Sequence, residues 1–147
     1  MSPFWLSLWV ASLALVIVIL TGLAACYWMN RCKWSGIAVL DALITLPLVL
    51  PPVVVGFALL MVFTPGYAFG AWLESHGLGV VFTEAGAVVA SSVLAFPLFY
   101  QMVRSALQSV DHNMEDVART FGASELRIFF TISVPLAWTG LFTGSIL

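Results

Sequence analysis

The chain reads as an all-α integral membrane protein, and three observations predict that class. Of its 147 residues, 62% are hydrophobic and 8% are charged, where soluble globular domains carry roughly 25% charged residues. The apolar residues form long runs that must face lipid or one another, so the chain does not build a water-soluble core. The five basic residues, Arg31, Lys33, Arg104, Arg119 and Arg127, gather in two places. That distribution reports topology and forms no nucleic-acid-binding patch.

The elements follow in order. Residues 4–28 make the first span, which at about 1.5 Å per residue reaches roughly 37 Å, enough to cross a hydrocarbon core of about 30 Å with some tilt. No Lys or Arg precedes it and it exceeds the 7–15 residues of a signal-peptide core, so it is read as a retained helix. Trp5 and Trp9 mark one membrane interface; Tyr27, Trp28 and Trp34 mark the other. A second span covers 37–63, where Pro47, Pro51 and Pro52 remove backbone donors and exclude a regular helix. Such a break is tolerated in lipid only where protein or a water-lined cavity satisfies the freed carbonyls. The prolines therefore form either a packing kink in a bundle or part of a transport path.

Residues 64–83 hold glycines, Pro65, Glu74 and His76 without a basic residue, the pattern of an extracytoplasmic loop, with a short interfacial helix expected over 67–73. The third span covers 85–103, with Pro97 as a kink and Arg104 closing it. Because the two basic clusters lie two crossings apart, both their loops are predicted to be cytoplasmic and the N-terminus outside. The final stretch, 132–147, falls short of the roughly 20 residues a spanning helix needs. The expected architecture is three full transmembrane helices plus an incomplete fourth, in one partial transmembrane domain over 1–147.

Between the third and fourth spans, residues 111–131 predict a helix, a turn and a second helix. Asp111 or Asn113 can cap the first helix, and Glu115 and Asp116 in its first turn suit the positive helix N-terminus. Gly122 can take positive φ and end that helix in a left-handed cap, after which Ser124 can cap the second. Val117 and Phe121 share one face, as do Leu126 and Phe130, so the loop offers apolar knobs beside charges such as Arg119. A surface of that kind wants a partner.

The run Glu115-Asp116-Val117-Ala118-Arg119-Thr120-Phe121-Gly122, closing downstream on Pro135, resembles the cytoplasmic coupling motif of permease subunits in binding-protein-dependent ABC importers. Glu115, Ala118, Gly122 and Pro135 fall on the motif positions; the second motif residue, usually alanine, is Asp116 or Val117 here. The run Leu46-Pro47-Leu48-Val49-Leu50-Pro51-Pro52 is similar to the second membrane segment of molybdate permeases, to which sulfate permeases are close relatives. The resemblance implies that Glu115, Asp116, Val117, Ala118, Arg119, Phe121, Gly122 and Pro135 couple to a cytoplasmic ATPase subunit. It also implies an extracytoplasmic oxyanion-binding protein, a second permease subunit in a homodimer, and a multi-pass place in a bacterial inner membrane. Such permeases continue past Leu147 through further membrane helix, so a C-terminally truncated permease is expected. Molybdate is the expected cargo, tungstate being chemically similar. A sulfate or thiosulfate permease, or a non-transporting fragment of a split or interrupted gene, are the alternatives.

The remaining polar residues exclude other classes. Cys26 and Cys32 lack CxxC spacing and a histidine cluster, so they read as reduced thiols. His76 and His112 lie in loops without ligand partners, and no metal or cofactor is expected. Asp41 and Glu84 lie near span ends, where interfacial placement is expected ahead of a proton relay. Ser91 and Ser92 suit close helix packing. With no phosphate-binding glycine loop, catalytic triad or HExxH motif, the chain is not expected to be an enzyme or to hydrolyse ATP itself.

Overall fold

The computed structural model describes residues 2–31, 35–108 and 112–136, together with Trp138, Phe142 and Ile146. Two helices, α1 (Pro3–Arg31) and α5 (Glu84–Gln108), form the spine. Both are long and apolar enough to cross a membrane. Pro3 opens α1 at the position where a missing N–H is harmless. Thr83 caps α5, its hydroxyl accepting the Gly86 N–H at 3.1 Å, and Glu84 in the first turn complements the helix dipole.

Lipid offers no hydrophobic gain to helices that associate, so the seam depends on close packing. Val18, Cys26 and Met29 of α1 meet Phe99, Tyr100, Val103 and Leu107 of α5 in one buried cluster. Gly22 makes the approach possible: a Cβ there would lie 2.5 Å from the Phe99 ring. The Cys26 thiol donates to the Tyr100 carbonyl at 3.7 Å, which makes this cysteine a packing residue.

The region expected as one proline-interrupted span holds two helices. α2 (Ile37–Val49) and α3 (Pro52–Phe63) meet at a bend of 112°. Leu50 is extended (φ −82°, ψ 141°) and so is Pro51 (φ −56°, ψ 139°), because a residue that precedes proline is driven out of the helical region. Two prolines in succession enforce this twice. Pro52 then starts α3 at its favoured first position. Pro47, expected to share in the break, instead lies inside α2. At about 1.5 Å per residue, neither the 13 residues of α2 nor the 12 of α3 span the core alone.

The short helix expected over 67–73 is α4 (Ala68–Ser75). It packs tightly onto the end of α3, where a Cβ on Gly70 would lie 2.1 Å from the Thr64 carbonyl oxygen. His76 follows α4, its Nδ1 2.8 Å from the Trp72 carbonyl oxygen and its ring against the Trp72 indole. The helix that holds the expected third span continues past residue 103: Arg104 sits inside α5, one turn before its close at Gln108. After α5 come α6 (His112–Thr120), α7 (Glu125–Ile128), a π-helical turn (Phe129–Ser133) and α8 (Val134–Leu136). Half of the residues of the fourth span expected over 132–147 lie outside the described residues, as do Lys33, Trp34 and Asp111.

Two outcomes test this packing. Gly22→Ala should lower thermal stability in detergent by about 1–3 kcal/mol, the range for overpacking a filled site, and Gly22→Ala with Phe99→Leu should recover part of that loss. Replacing Pro51 and Pro52 together by alanine should let α2 and α3 join. Spin labels at positions 43 and 60 would then move apart in a double-resonance distance measurement; an unchanged distance would mean that the neighbouring helices, and not the prolines, set the bend.

Candidate coupling surface and the polar contact behind it

The segment after α5 folds as a helix, a glycine turn and a helix. In α6, Glu115, Asp116, Val117, Ala118 and Arg119 occupy consecutive positions. Phe121 follows the helix, and Gly122 adopts φ +80°. The Gly122 N–H donates to the Arg119 carbonyl at 2.9 Å and the Ala123 N–H reaches the Ala118 carbonyl at 3.1 Å. This pair of bonds is a Schellman ending, which satisfies the last carbonyls of α6 only if its turn residue is left-handed. Among the described residues, nothing beyond its two chain neighbours lies within 4 Å of the position a Gly122 Cβ would take, so conformation and not space selects glycine here.

Some expected details differ. Asn113 lies within α6 and is not its cap, and Asp116 falls beyond the first turn. Asp116 pairs instead with Arg119 at 2.6 Å. Ser124 does occupy the position before α7 but makes no side-chain cap bond; its backbone carbonyl accepts the Ile128 N–H at 2.9 Å. Arg119 also reaches across the turn to Glu125, its Nε 2.8 Å from Oε1 and its Nη2 3.3 Å from Oε2. These side chains are well exposed, so such pairs contribute about 0–1 kcal/mol each and serve mainly to orient α7 against α6.

The apolar knobs stand clear of the protein. Val117 is 56% and Phe121 87% exposed, and Met114, Leu126 and Phe130 are exposed beside them. Phe129 does the opposite. It is buried, packs edge-on against Tyr27 of α1 at 5.0 Å and joins the α1–α5 cluster. Phe129 therefore fastens the loop to the membrane bundle while its neighbour Phe130 points away. The π-helical turn that begins at Phe129 ends directly before Pro135, with the Val134 N–H donating to the Phe129 carbonyl five residues back. Pro135 cannot donate to Thr131, so a widened turn at this place leaves fewer carbonyls without a partner.

Of the three prolines assigned to the translocation path, Pro47 lies inside α2, Pro51 at the break and Pro52 at the start of α3. Sequence reasoning missed the contact behind them. Asp41, expected at an interface, forms an ion pair with Arg104 of α5. The Tyr100 hydroxyl donates to the same Asp41 oxygen at 2.9 Å and accepts from Arg104 Nη1 at 3.0 Å. Thr45, Gln101, Ser105 and Gln108 surround this group in an open polar cavity of about 390 Å³. The spacing of Tyr100 and Arg104, four apart on α5, is the signal that a partner for Asp41 was available. Among the described residues no cluster of His, Cys, Asp and Glu could hold a metal ion.

Comparison with known proteins agrees with this anatomy. Residues 17–147 match the family described as the binding-protein-dependent transport system inner membrane component. The molybdenum transport system permease protein ModB of Escherichia coli (strain K12) is 41% identical over 99% of this chain and 66% of its own length. Its namesake in Azotobacter vinelandii is 37% identical over 97% of this chain and 63% of its length. That of Haemophilus influenzae is 40% identical over 81% of this chain and 52% of its length. The chain thus spans just under two thirds of the length of the Escherichia coli and Azotobacter vinelandii relatives. From the family match, the apolar spine and the helix–glycine–helix loop, the chain belongs to the inner membrane components of binding-protein-dependent transport systems.

Proposed function

We propose that this chain is part of the permease subunit of an ABC importer for an oxyanion, molybdate first, and that the α6–Gly122–α7 unit docks on a separate cytoplasmic ATPase subunit. The observation that carries this reading is the exposed pair Val117 and Phe121 on a rigidly ended helix, anchored to the spanning helices through buried Phe129. Relatives about 40% identical are named molybdenum permeases. Delivery would be by an extracytoplasmic binding protein, and a second permease subunit would complete the path. The basic residues support an extracytoplasmic N-terminus with the loop inside. A tetrahedral dianion would meet hydroxyls, backbone donors and helix ends along a route nearly free of lysine, and the interruption at Pro51 and Pro52 supplies such ends.

In this reading, hydrolysis stays in the ATPase, and α6 conveys its closing motion to α5 and the bundle. Glu115, Asp116, Val117, Ala118, Arg119, Phe121 and Gly122 form or shape the docking unit, and Pro135 sets where the next membrane helix begins. A hinge that is stiff on both sides transmits displacement; a frayed one absorbs it.

Capture of the chain by an affinity-tagged ATPase subunit in mild detergent tests the docking reading. Phe121→Ala should weaken capture roughly tenfold or more, as for an anchor worth about 1.5–3 kcal/mol. Gly122→Ala should cost about 1–2 kcal/mol at the left-handed turn, and Gly122→Pro should cost more because it also loses the bond to Arg119. Equal capture of all three would remove the loop from the interface. Uptake of labelled molybdate by the assembled transporter should persist in a large excess of sulfate; inhibition by sulfate would reassign the cargo.

A further inference from the structure

The contact between α2 and α5 has a feature that close packing does not require. On α2, Ile37, Leu40 and Ile44 form the stripe packed against the core cluster, and Asp41 falls in that stripe. An aliphatic residue there would pack without a polar partner. Instead Asp41 draws Arg104 and Tyr100 into one hydrogen-bonded group. Tyr100 is fully buried and touches Cys26 of α1 through its carbonyl, so the group is braced from behind by the α1–α5 seam. In front it opens to the polar cavity, leaving Arg104 and Asp41 side chains 30% and 34% exposed.

That exposure decides the energetics. A sealed pair would resist separation, because breaking it strands a charge in low dielectric. A pair open to water can part and re-form at modest cost, since water screens each charge and solvates the partner left behind. The position matters as much. Arg104 lies one turn before the end of α5, and the chain continues from that end toward α6. Asp41 lies in the first half of the proline-broken pair, ahead of the bend at Leu50 and Pro51. A displacement that enters at α6 reaches α5 first, and this charged contact is where α5 grips α2.

We infer that Asp41, Tyr100 and Arg104 are positioning residues for transport: a water-accessible latch by which movement of α5 is passed to α2 and so to the break at Pro51 and Pro52. The inference rests on the importer reading above, and deepens it by naming the connection between the ATPase-facing loop and the interrupted helix pair. Tyr100 holds Asp41 and Arg104 in register, since its hydroxyl donates to one and accepts from the other. Loss of either charge leaves α2 in place by its apolar stripe but uncouples its motion from that of α5.

The test uses the transporter assembled from this chain, its ATPase and its binding protein in proteoliposomes, with Asp41→Asn, Arg104→Gln and the exchanged pair Asp41→Arg with Arg104→Asp. Each single variant should keep binding-protein-stimulated ATP hydrolysis within about twofold while molybdate uptake falls about tenfold or more, roughly 1.4 kcal/mol of lost coupling. The exchanged pair should recover a substantial part of the uptake. Unchanged uptake in both single variants would overturn the latch, as would a joint fall of uptake, hydrolysis and melting temperature, which marks a merely structural role. A second readout does not depend on transport. With Cys26 and Cys32 replaced, spin labels at positions 43 and 98 should show a broader α2–α5 distance distribution in Arg104→Gln than in the parent, restored in the exchanged pair. An unchanged distribution would overturn the latch even if the parent transports nothing, an outcome that would count against the importer reading instead.

Discussion

The controlling constraint on this chain is that a backbone in hydrocarbon must satisfy its own hydrogen bonds, because no water is there to do so. Regular helix meets that demand in α1 and α5, and it leaves the side chains to settle only how closely the two approach. Gly22 against Phe99 lets them touch, and the gain is then a sum of many contacts of about 0.1–0.2 kcal/mol each. Among the described residues, three departures from regular helix coincide with a proline or a glycine. Pro51 and Pro52 turn the chain between α2 and α3, Gly122 ends α6, and the π-helical turn stands before Pro135.

These departures divide into rigid and adjustable places. The Gly122 ending is rigid, since two backbone bonds and a left-handed residue define it. The pairs of Arg119 around it lie in water and add orientation at little energetic cost or gain. Phe129 then ties this unit to α1, so that the surface bearing Val117 and Phe121 and the membrane bundle behave as connected bodies. The contact of Asp41 with Tyr100 and Arg104 is of the other kind. Charge that meets water can let go and return, which close-packed aliphatic side chains in the seam cannot do as discretely.

Much of this was readable beforehand at the level of elements. The long apolar helices α1 and α5, the short helix after Pro65 and the glycine turn were all expected close to where they occur, because each follows from a local rule of composition or stereochemistry. The reading failed where a side chain had two possible partners. Asp41 and Arg104 were read near span ends as separate charges, and their pairing between α2 and α5 was not foreseen. Asp116 was assigned to the helix dipole, but Arg119 claims it. Pro47 was grouped with Pro51 and Pro52, yet one proline inside a helix is accommodated where two in succession are not.

Sequence by itself determined the membrane class, the apolar segments, the break at the paired prolines and the left-handed end at Gly122, since lipid burial, proline and glycine act on the chain within a few residues of themselves. Only tertiary structure decided that α1 lies along α5, that the bend between α2 and α3 is 112°, that Phe129 is buried while Phe130 is not, and that Asp41 belongs to Arg104. Those outcomes depend on which helix faces which. Asp41 and Arg104 are joined by packing across a long stretch of chain, and no local preference of either residue contains the other.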